Sequence, residues 1–174
     1  MQLKPIIQLR NATIEDLSII KHWDNQQHVI DSDPNDDWNW EYELLRTPDW
    51  REQLIAEIDG RPLGVVQIIN PAQEDSHYWG DISEGFRAID IWIGSANDLG
   101  KGYGTVIMQQ SLARCFAEAE VKNVLIDPLS SNVRAIRFYE RLGFEYLEDR
   151  QFGDSNCKVY IFSRETWESG ILIN

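Results

Sequence analysis

Residues 125–144 read LIDPLSSNVRAIRFYERLGF, and this stretch decides the fold. An apolar run ends at Asp127, which predicts a short buried strand over residues 123–127. A polar turn follows, and Asn132 stands where the N-cap of a helix is expected. Apolar residues then recur at helical spacing as far as Gly143, a residue type that commonly follows a helix C-terminus. The stretch therefore predicts a strand, a turn and a capped helix.

A second motif, GKGYGT at residues 100–105, stands between a predicted strand and a predicted helix. Glycines let backbone N–H groups turn outward at a helix start, where the helix dipole also favours negative charge. The spacing differs from that of dinucleotide-binding folds and of P-loops. Taken alone, the motif is compatible both with a plain tight turn and with a pyrophosphate site.

Alternating apolar residues predict another strand at residues 86–94, FRAIDIWIG. Its isoleucines share one face, while Asp90 and Trp92 share the other. Because a face of isoleucines belongs in a core, the alternation directs the Asp90 carboxylate to the opposite side of the sheet.

The remaining patterns complete the order of elements. Apolar runs around an Asp-Gly pair predict a β-hairpin over residues 54–69, and FEYLEDR with KVYIFS predicts a closing hairpin. Residues 31–52, which hold eight acids and three tryptophans, predict a loop or short helices. The order indicates an α+β fold with a mixed, mostly antiparallel sheet flanked by helices. We expect residues 1–174 to form one domain.

The composition indicates a real core and a strongly acidic surface. The 174 residues are 43% apolar, and the formal net charge is −13. Nucleic-acid binding usually needs a basic patch, so the charge argues against it. No stretch approaches the roughly 20 apolar residues of a membrane span, and the two cysteines lack metal-site spacing. We therefore expect a soluble, cytoplasmic protein, monomeric or weakly dimeric, without metal, membrane or nucleic-acid partners.

The charge is also uneven along the chain. Residues 1–90 carry 18 acidic and 7 Lys or Arg side chains, whereas residues 91–174 carry 11 and 9. An acidic surface can serve solubility alone, which is one explanation of the uneven charge. The other is that the first half binds a cationic partner while the second half accepts an anionic one.

Together, GKGYGT and NVRAIRFYERLGF resemble the GCN5-related N-acetyltransferase (GNAT) superfamily, which moves an acetyl group from acetyl-CoA to an amine. The later signature of that superfamily is met here by Asn132, Ala135, Tyr139, Gly143 and Phe144. One departure is Leu99, which stands where many members have Arg or Gln. The resemblance implies the acyl-CoA N-acyltransferase fold, in which the fourth and fifth strands splay apart and admit the pantetheine arm of the cosubstrate.

The resemblance also implies which residues bind acetyl-CoA. The expected cofactor-binding residues are Ile91, Trp92, Ile93, Gly100, Lys101, Gly102, Tyr103, Gly104, Thr105 and Asn132. Tyr139 is expected beside the thioester sulfur, where it would protonate the departing thiolate as a general acid. Without the family pattern, Tyr139 reads rather as a core aromatic residue whose hydroxyl is satisfied elsewhere.

The stretch AIDIWIGSANDLGKGYGT with IDPLSSNVRAIRFYERLGF is similar to the aminoglycoside 6'-N-acetyltransferases. Shared features are Ile-Asp in the fourth strand, Leu-Gly-Lys-Gly before the helix, and Asp-Pro ahead of Ser-Asn. Residues 74–79, EDSHYW, and 36–41, DDWNWE, resemble segments that line the drug site. The resemblance implies that substrate is bound by Trp38, Asp75, Tyr78, Trp79, Asp90 and Asp127.

The chemistry of these residues suits a polycation. Carboxylates accept charge-assisted hydrogen bonds from ammonium groups, and aromatic faces pack on sugar rings and cations. We expect Asp90 to act as the general base and Asp127 to anchor a second ammonium group. Two alternatives stay open: acetylation of another amine, such as a polyamine or a protein N-terminus, and a non-catalytic acyl-CoA-binding module.

Overall fold

The computed structural model describes residues 5–35 and 37–170. Its seven strands are β1 (Ile7–Asn11), β2 (Arg51–Ile58), β3 (Arg61–Ile69), β4 (Phe86–Ile93), β5 (Asn123–Ile126), β6 (Glu145–Phe152) and β7 (Ser155–Ser163). They form one sheet in the order β1-β2-β3-β4-β5-β7-β6. Every neighbouring pair is antiparallel except β4 and β5, which are parallel. The predicted mixed, mostly antiparallel sheet is confirmed.

Helices cover both faces of the sheet. They are α1 (Leu17–Asp24), α2 (Gln27–Ser32), α3 (Trp40–Glu43), α4 (Tyr103–Ala117), α5 (Val133–Arg141) and α6 (Arg164–Glu168). The acidic segment 31–52 contains the end of α2, the single turn of α3 and the start of β2, close to the predicted loop with short helices. Helix α6 was not predicted. No helix in residues 5–35 and 37–170 is long and apolar enough to cross a membrane.

The hairpin of β2 and β3 forms as the sequence predicts. Asp59 and Gly60 both have positive φ, at 50° and 79°, and they join paired residues Ile58 and Arg61. Two consecutive left-handed residues match the right-handed twist of the flanking strands, and an Asp-Gly pair adopts that conformation readily.

The strand β4 separates two cores. Ile89 is buried in the main core with α4 and α5, and Ile91 and Ile93 pack against that core. On the opposite face, Trp92 packs against a second core formed by α1, α3, β2 and β3. Asp90 shares the face of Trp92, as the alternation predicts.

The parallel strands β4 and β5 splay apart. Their pairing covers only Phe86 with Asn123, Arg87 with Val124, and Ala88 with Leu125. Beyond Ala88, β4 continues for five more residues, to Ile93, without pairing to β5. The splay implied by the resemblance is present, and it opens a gap beside the second half of β4.

The helix after β5 is capped at both ends as predicted. The Asn132 side-chain oxygen accepts a hydrogen bond from the backbone N–H of Ala135 at 3.1 Å. Gly143 follows the helix with φ of 92°. The N–H groups of Gly143 and Phe144 donate to the carbonyls of Glu140 and Tyr139, both at 3.1 Å, which is a Schellman motif.

Candidate active site

Two carboxylates face each other at the mouth of the splay. Ala88 and Leu125 form the last residue pair between β4 and β5. Asp90 lies two residues beyond Ala88, and Asp127 lies two residues beyond Leu125. Because side chains alternate along a strand, both acids lie on the same face as that last pair. That face is opposite the main core. The structure therefore brings together the two acids that the sequence analysis named for catalysis and anchoring.

Burial and nearby negative charges raise the pKa values of both acids. For Asp90 the largest cause is burial, and the negative charges of Asp127 and Asp33 add to it. For Asp127 burial is again the largest cause, opposed by a hydrogen bond from Tyr78 and assisted by Asp33. Because the charge of Asp127 raises the pKa of Asp90, the two acids do not titrate independently. A carboxylate with a raised pKa is a stronger base near neutral pH than an ordinary Asp.

Tyr78 orients Asp127. Its hydroxyl donates to the Oδ2 atom of Asp127 at 2.6 Å. Its ring stacks on Phe152 with centroids 4.4 Å apart and planes 3° apart. The residue is nevertheless 47% exposed, so one side of the ring remains accessible. Tyr78 thus combines a fixed position beside an acid with an open aromatic surface.

Tyr139 approaches the same gap from helix α5. It is buried between Phe138 and Phe144, with ring centroids 5.2 and 5.7 Å away. Burial, and then the negative charges of Asp90 and Asp127, raise the pKa of its hydroxyl. The hydroxyl therefore stays protonated at neutral pH, which is the state a general acid needs.

The gap exposes one edge of β4. The N–H of Gly94 donates to the carbonyl of Leu63 on β3 at 3.0 Å. In an antiparallel ladder, backbone groups point alternately to the two sides, so those of Ile91 and Ile93 point away from β3 and into the splay. An extended ligand lying in the gap would therefore contact the backbone groups of Ile91 and Ile93. The backbone of Trp92 points back to β3.

A histidine reaches this edge from α2. The Nε2 atom of His28 lies 2.8 Å from the carbonyl oxygen of Ile93, so the ring donates from that nitrogen. The sequence analysis missed His28, because the residue carries no motif and lies far from β4 in the chain. It also missed Asp33, which follows α2 and acts electrostatically on the acid pair.

The glycine turn begins helix α4 in an open, left-handed form. Gly100 and Gly102 have φ of 74° and 81°, and a Cβ atom at either position would meet nothing within 4 Å. Space around the backbone N–H groups is what a phosphate group requires. Gly104 differs, because its Cβ would lie 3.3 Å from the Cζ atom of Phe138 on α5. Because Gly104 has no side chain, α4 can pack closely against Phe138 of α5 at this position.

An ion pair fixes the turn to the sheet. The guanidinium of Arg61 donates to both oxygens of buried Asp98, at 2.9 and 3.1 Å. The exposed Lys101 extends over the Tyr103 ring, with its Nζ atom 6.0 Å from the ring centroid and 3.8 Å from Asp98. Thr105 is half-buried in the first turn of α4.

Comparison with known proteins identifies the family. The model of the acetyltransferase (GNAT) domain matches residues 13–152.

The chain belongs to the GNAT acetyltransferase family.

Relatives within this family act on aminoglycosides. The chain is 31% identical to an aminoglycoside N(6')-acetyltransferase type 1 of Klebsiella pneumoniae in an alignment 176 positions long, which covers 93% of this chain and 85% of that protein. It is 40% identical to a kanamycin resistance protein of Rhizobium radiobacter over 96 residues, covering 55% of this chain and 89% of the relative.

A solved structure in the family has the same fold. The crystal structure of aminoglycoside acetyltransferase AAC(6')-Ib with coenzyme A superposes with a TM-score of 0.84 at 27% identity, covering 95% of this chain and 99% of that one. A structure of the same enzyme with coenzyme A and kanamycin matches equally well.

Two tryptophans with predicted ligand roles are engaged in packing in this GNAT protein. Trp79 was predicted to bind substrate, but it is only 4% exposed and packs edge-on against Phe152, with centroids 5.1 Å apart. Trp92 was predicted to bind the cofactor, but its ring stacks on Trp38 and its backbone belongs to the β3 ladder. Both residues are engaged in packing, and their ligand roles stay predictions.

The other predicted substrate residues lie around the second core and in the β3–β4 loop. Trp38 stacks on buried Trp40 with centroids 5.4 Å apart and is partly buried. Asp75 is largely exposed and pairs with Arg46 at 3.1 Å. No described contact joins either residue to the acid pair, so their substrate roles stay predictions. Of the segment 36–41, Asp36 lies outside the described residues.

The described residues hold no cluster of three or more His, Cys, Asp or Glu side chains arranged for a metal ion. The GNAT relatives named above are described with coenzyme A. In this chain the unpaired second half of β4 and the open glycine turn fit such a ligand.

Proposed function

We propose that this protein transfers the acetyl group of acetyl-CoA to the 6'-amino group of aminoglycosides, by direct attack within a ternary complex. The observation that carries the proposal is the pair of facing, partly buried acids, Asp90 and Asp127, at the mouth of the splay. Aminoglycosides carry several ammonium groups on sugar rings, so two adjacent carboxylates beside the exposed ring of Tyr78 suit them.

The cosubstrate side of the site is made of backbone groups. The N–H groups of the glycine turn would hold the pyrophosphate, and the backbone groups of Ile91 with the N–H of Ile93 would pair with the pantetheine arm. An N–H on that edge would also polarise the thioester carbonyl, since a fixed dipole in a water-poor gap stabilises developing negative charge. Acetyl-CoA supplies the acetyl group, and the chain supplies its orientation.

Three side chains have assigned roles in the transfer. Asp90 takes the proton from the substrate amine, directly or through water, because its raised pKa favours proton capture near neutral pH. Asp127 anchors an ammonium group and is itself held by Tyr78. Tyr139, whose hydroxyl stays protonated, donates its proton to the departing thiolate.

Direct transfer agrees with the state of the cysteines. Cys115 and Cys157 are both buried and unpaired. Burial raises the pKa of each thiol to about 12, so neither is a thiolate at neutral pH. A covalent acetyl-cysteine step therefore has no suitable nucleophile in these two residues.

Release of the CoA thiol tests the function. Wild-type protein with acetyl-CoA should release thiol with kanamycin and tobramycin and far less with spermidine or peptides, and the kanamycin product should carry its acetyl group on the 6' nitrogen. Turnover with spermidine or a peptide but not with kanamycin would identify a different amine as the substrate.

The surroundings of the enzyme are part of the proposal. We infer that the protein works in the cytoplasm as one domain over residues 1–174, monomeric or weakly dimeric, with no nucleic acid or membrane as partner. Its two free cysteines fit a reducing compartment. Light scattering at micromolar concentration tests the oligomeric state.

A further inference from the structure

A buried amide next to the acid pair has no role in the scheme above. Gln67 on β3 is fully buried, with 0% of its surface exposed. Within residues 5–35 and 37–170, neither its Oε1 nor its Nε2 atom has a hydrogen-bond partner. Burying an amide without partners lowers stability, and such groups are few in folded proteins. Gln67 therefore needs an explanation that packing does not supply.

The sheet places this amide beside the proposed general base. Gln67 is the direct cross-strand partner of Asp90 in the pairing of β3 with β4. Directly paired residues of an antiparallel sheet project from the same face with their Cβ atoms about 5 Å apart. No hydrogen bond joins the two side chains within the described residues, so the amide remains unpaired beside the carboxylate.

The neighbours of Gln67 on this face show that a polar residue is not needed for the core. Val65, two residues earlier on β3, and Ile55 on β2 are both buried in the second core. An apolar side chain at position 67 would continue that surface and leave no amide unpaired. The amide thus stands where a hydrocarbon would pack at least as well, next to the one acid that needs an oriented substrate.

We propose that Gln67 positions the substrate amine: its Oε1 atom accepts one N–H of the target amino group while Asp90 accepts another. This inference rests on the proposed function and adds a residue to its substrate site. An amide oxygen binds both the ammonium and the neutral amine, since it accepts a hydrogen bond without taking the proton. Two acceptors on adjacent strands would fix the direction of the nitrogen lone pair toward the thioester.

The test replaces the amide with hydrocarbon of similar size, in Gln67→Leu and Gln67→Met. Each variant should unfold at the same temperature as wild type or higher, because the unpaired amide is gone. Each should lose about tenfold or more in kcat/KM for kanamycin, the range for a hydrogen bond to a charged group. The KM for acetyl-CoA should stay within about twofold of wild type, because Gln67 lies on the amine side.

The matched control is Gln53→Leu. Gln53 is the cross-strand partner of Gln67 on β2, one strand farther from Asp90, and its Nε2 atom is also buried without a partner in the described part of the chain. This change should leave kcat/KM for kanamycin within about twofold. If the Gln67 amide were purely structural, replacing it would instead lower the melting temperature and the affinity for acetyl-CoA together.

Two results would overturn the inference. One is normal kcat/KM for kanamycin in folded Gln67→Leu or Gln67→Met. The other is that both variants lose activity only in proportion to a loss of stability. Failure of the proposed function looks different, because wild-type protein itself would then leave kanamycin unacetylated. In that case the same variants are compared with the amine that wild type does acetylate, and equal activity again overturns the inference.

Discussion

At the scale of single residues, position rather than residue type sets the chemistry of the site. The chain has 29 acidic residues, and most are ordinary surface charges. Asp90 and Asp127 differ because burial and proximity make it costly for both to be ionised. Tyr78 relieves part of that cost for Asp127 by donating a hydrogen bond to it. Among the residues that the structure describes, none donates a hydrogen bond to Asp90, which makes it the better base of the pair.

Asparagine variants should separate the two acids. Asp90→Asn keeps the size and removes the base, so kcat and kcat/KM for kanamycin should fall together and the acidic limb of the pH profile should disappear. Asp127→Asn should chiefly raise KM for kanamycin, by about tenfold for about 1.4 kcal/mol. It should also move the acidic limb to lower pH, because it removes a negative charge that raises the Asp90 pKa.

Steady-state kinetics from about pH 5.5 to 9 check both variants. If the acidic limb of the kcat/KM profile disappears in Asp127→Asn but remains in Asp90→Asn, then Asp127 is the base and Asp90 the anchor. If neither variant changes any parameter, the acid pair is not part of the site.

Tyr139→Phe should lower kcat by about 10²- to 10⁴-fold, the range for a lost general acid, with little change in KM for acetyl-CoA. Tyr160→Phe is the control, because Tyr160 is also buried but its hydroxyl donates to Glu140 at 2.8 Å. The control should lose stability and keep its kcat. A fall in kcat under about threefold for Tyr139→Phe would leave Tyr139 a packing residue.

At the scale of elements, β4 and α4 meet at the turn that would hold the pyrophosphate. Residues 96–98 form a short 3₁₀ turn after β4, and the Arg61–Asp98 ion pair fixes it to the hairpin. Gly102 then starts α4 in the left-handed conformation. The close contact of Gly104 with Phe138 sets the spacing of α4 and α5, so substitution there tests packing instead of phosphate binding.

Gly102→Val should therefore weaken acetyl-CoA binding, since a branched side chain would enter the space needed by the pyrophosphate. Gly153→Val is the matched control. Gly153 also has positive φ, at 54°, with nothing within 4 Å, but it lies in the β6–β7 turn. Both variants carry a valine in the strained left-handed conformation. A difference between their acetyl-CoA affinities, measured by calorimetry, therefore reports on contact with the ligand. Equal affinities in the two variants would place the pyrophosphate elsewhere.

At the scale of the whole molecule, the charge distribution favours a cationic substrate. The net charge of −13 is concentrated in residues 1–90, which supply β1 to β3 and most of β4 with its Asp90. The half that carries the glycine turn is close to neutral, with 11 acids and 9 bases. An acidic first half favours a cationic substrate, while a near-neutral second half tolerates an anionic cosubstrate.

Aminoglycoside affinity should fall steeply between 50 and 500 mM salt, because exposed charges are screened over about 10 Å at 0.1 M. Neutral sugars should not compete. Titration calorimetry with kanamycin measures the slope, and Asp127→Asn should make it shallower. An affinity that is the same at both salt concentrations would contradict an acidic substrate site.

The sequence by itself determined the local features of this protein. The caps at Asn132 and Gly143, the Asp-Gly hairpin and the two faces of β4 follow from hydrogen bonds and dihedral preferences within a few residues. The family also followed from sequence, because its signature lies in two short motifs.

Only the tertiary structure decided how distant residues combine. It placed Asp127 beside Asp90, Gln67 opposite Asp90, and His28 on the carbonyl of Ile93. It also buried Trp79 against Phe152. The physical reason is that strand register, splay and helix packing arise from long-range burial of apolar surface, which no window of neighbouring residues contains.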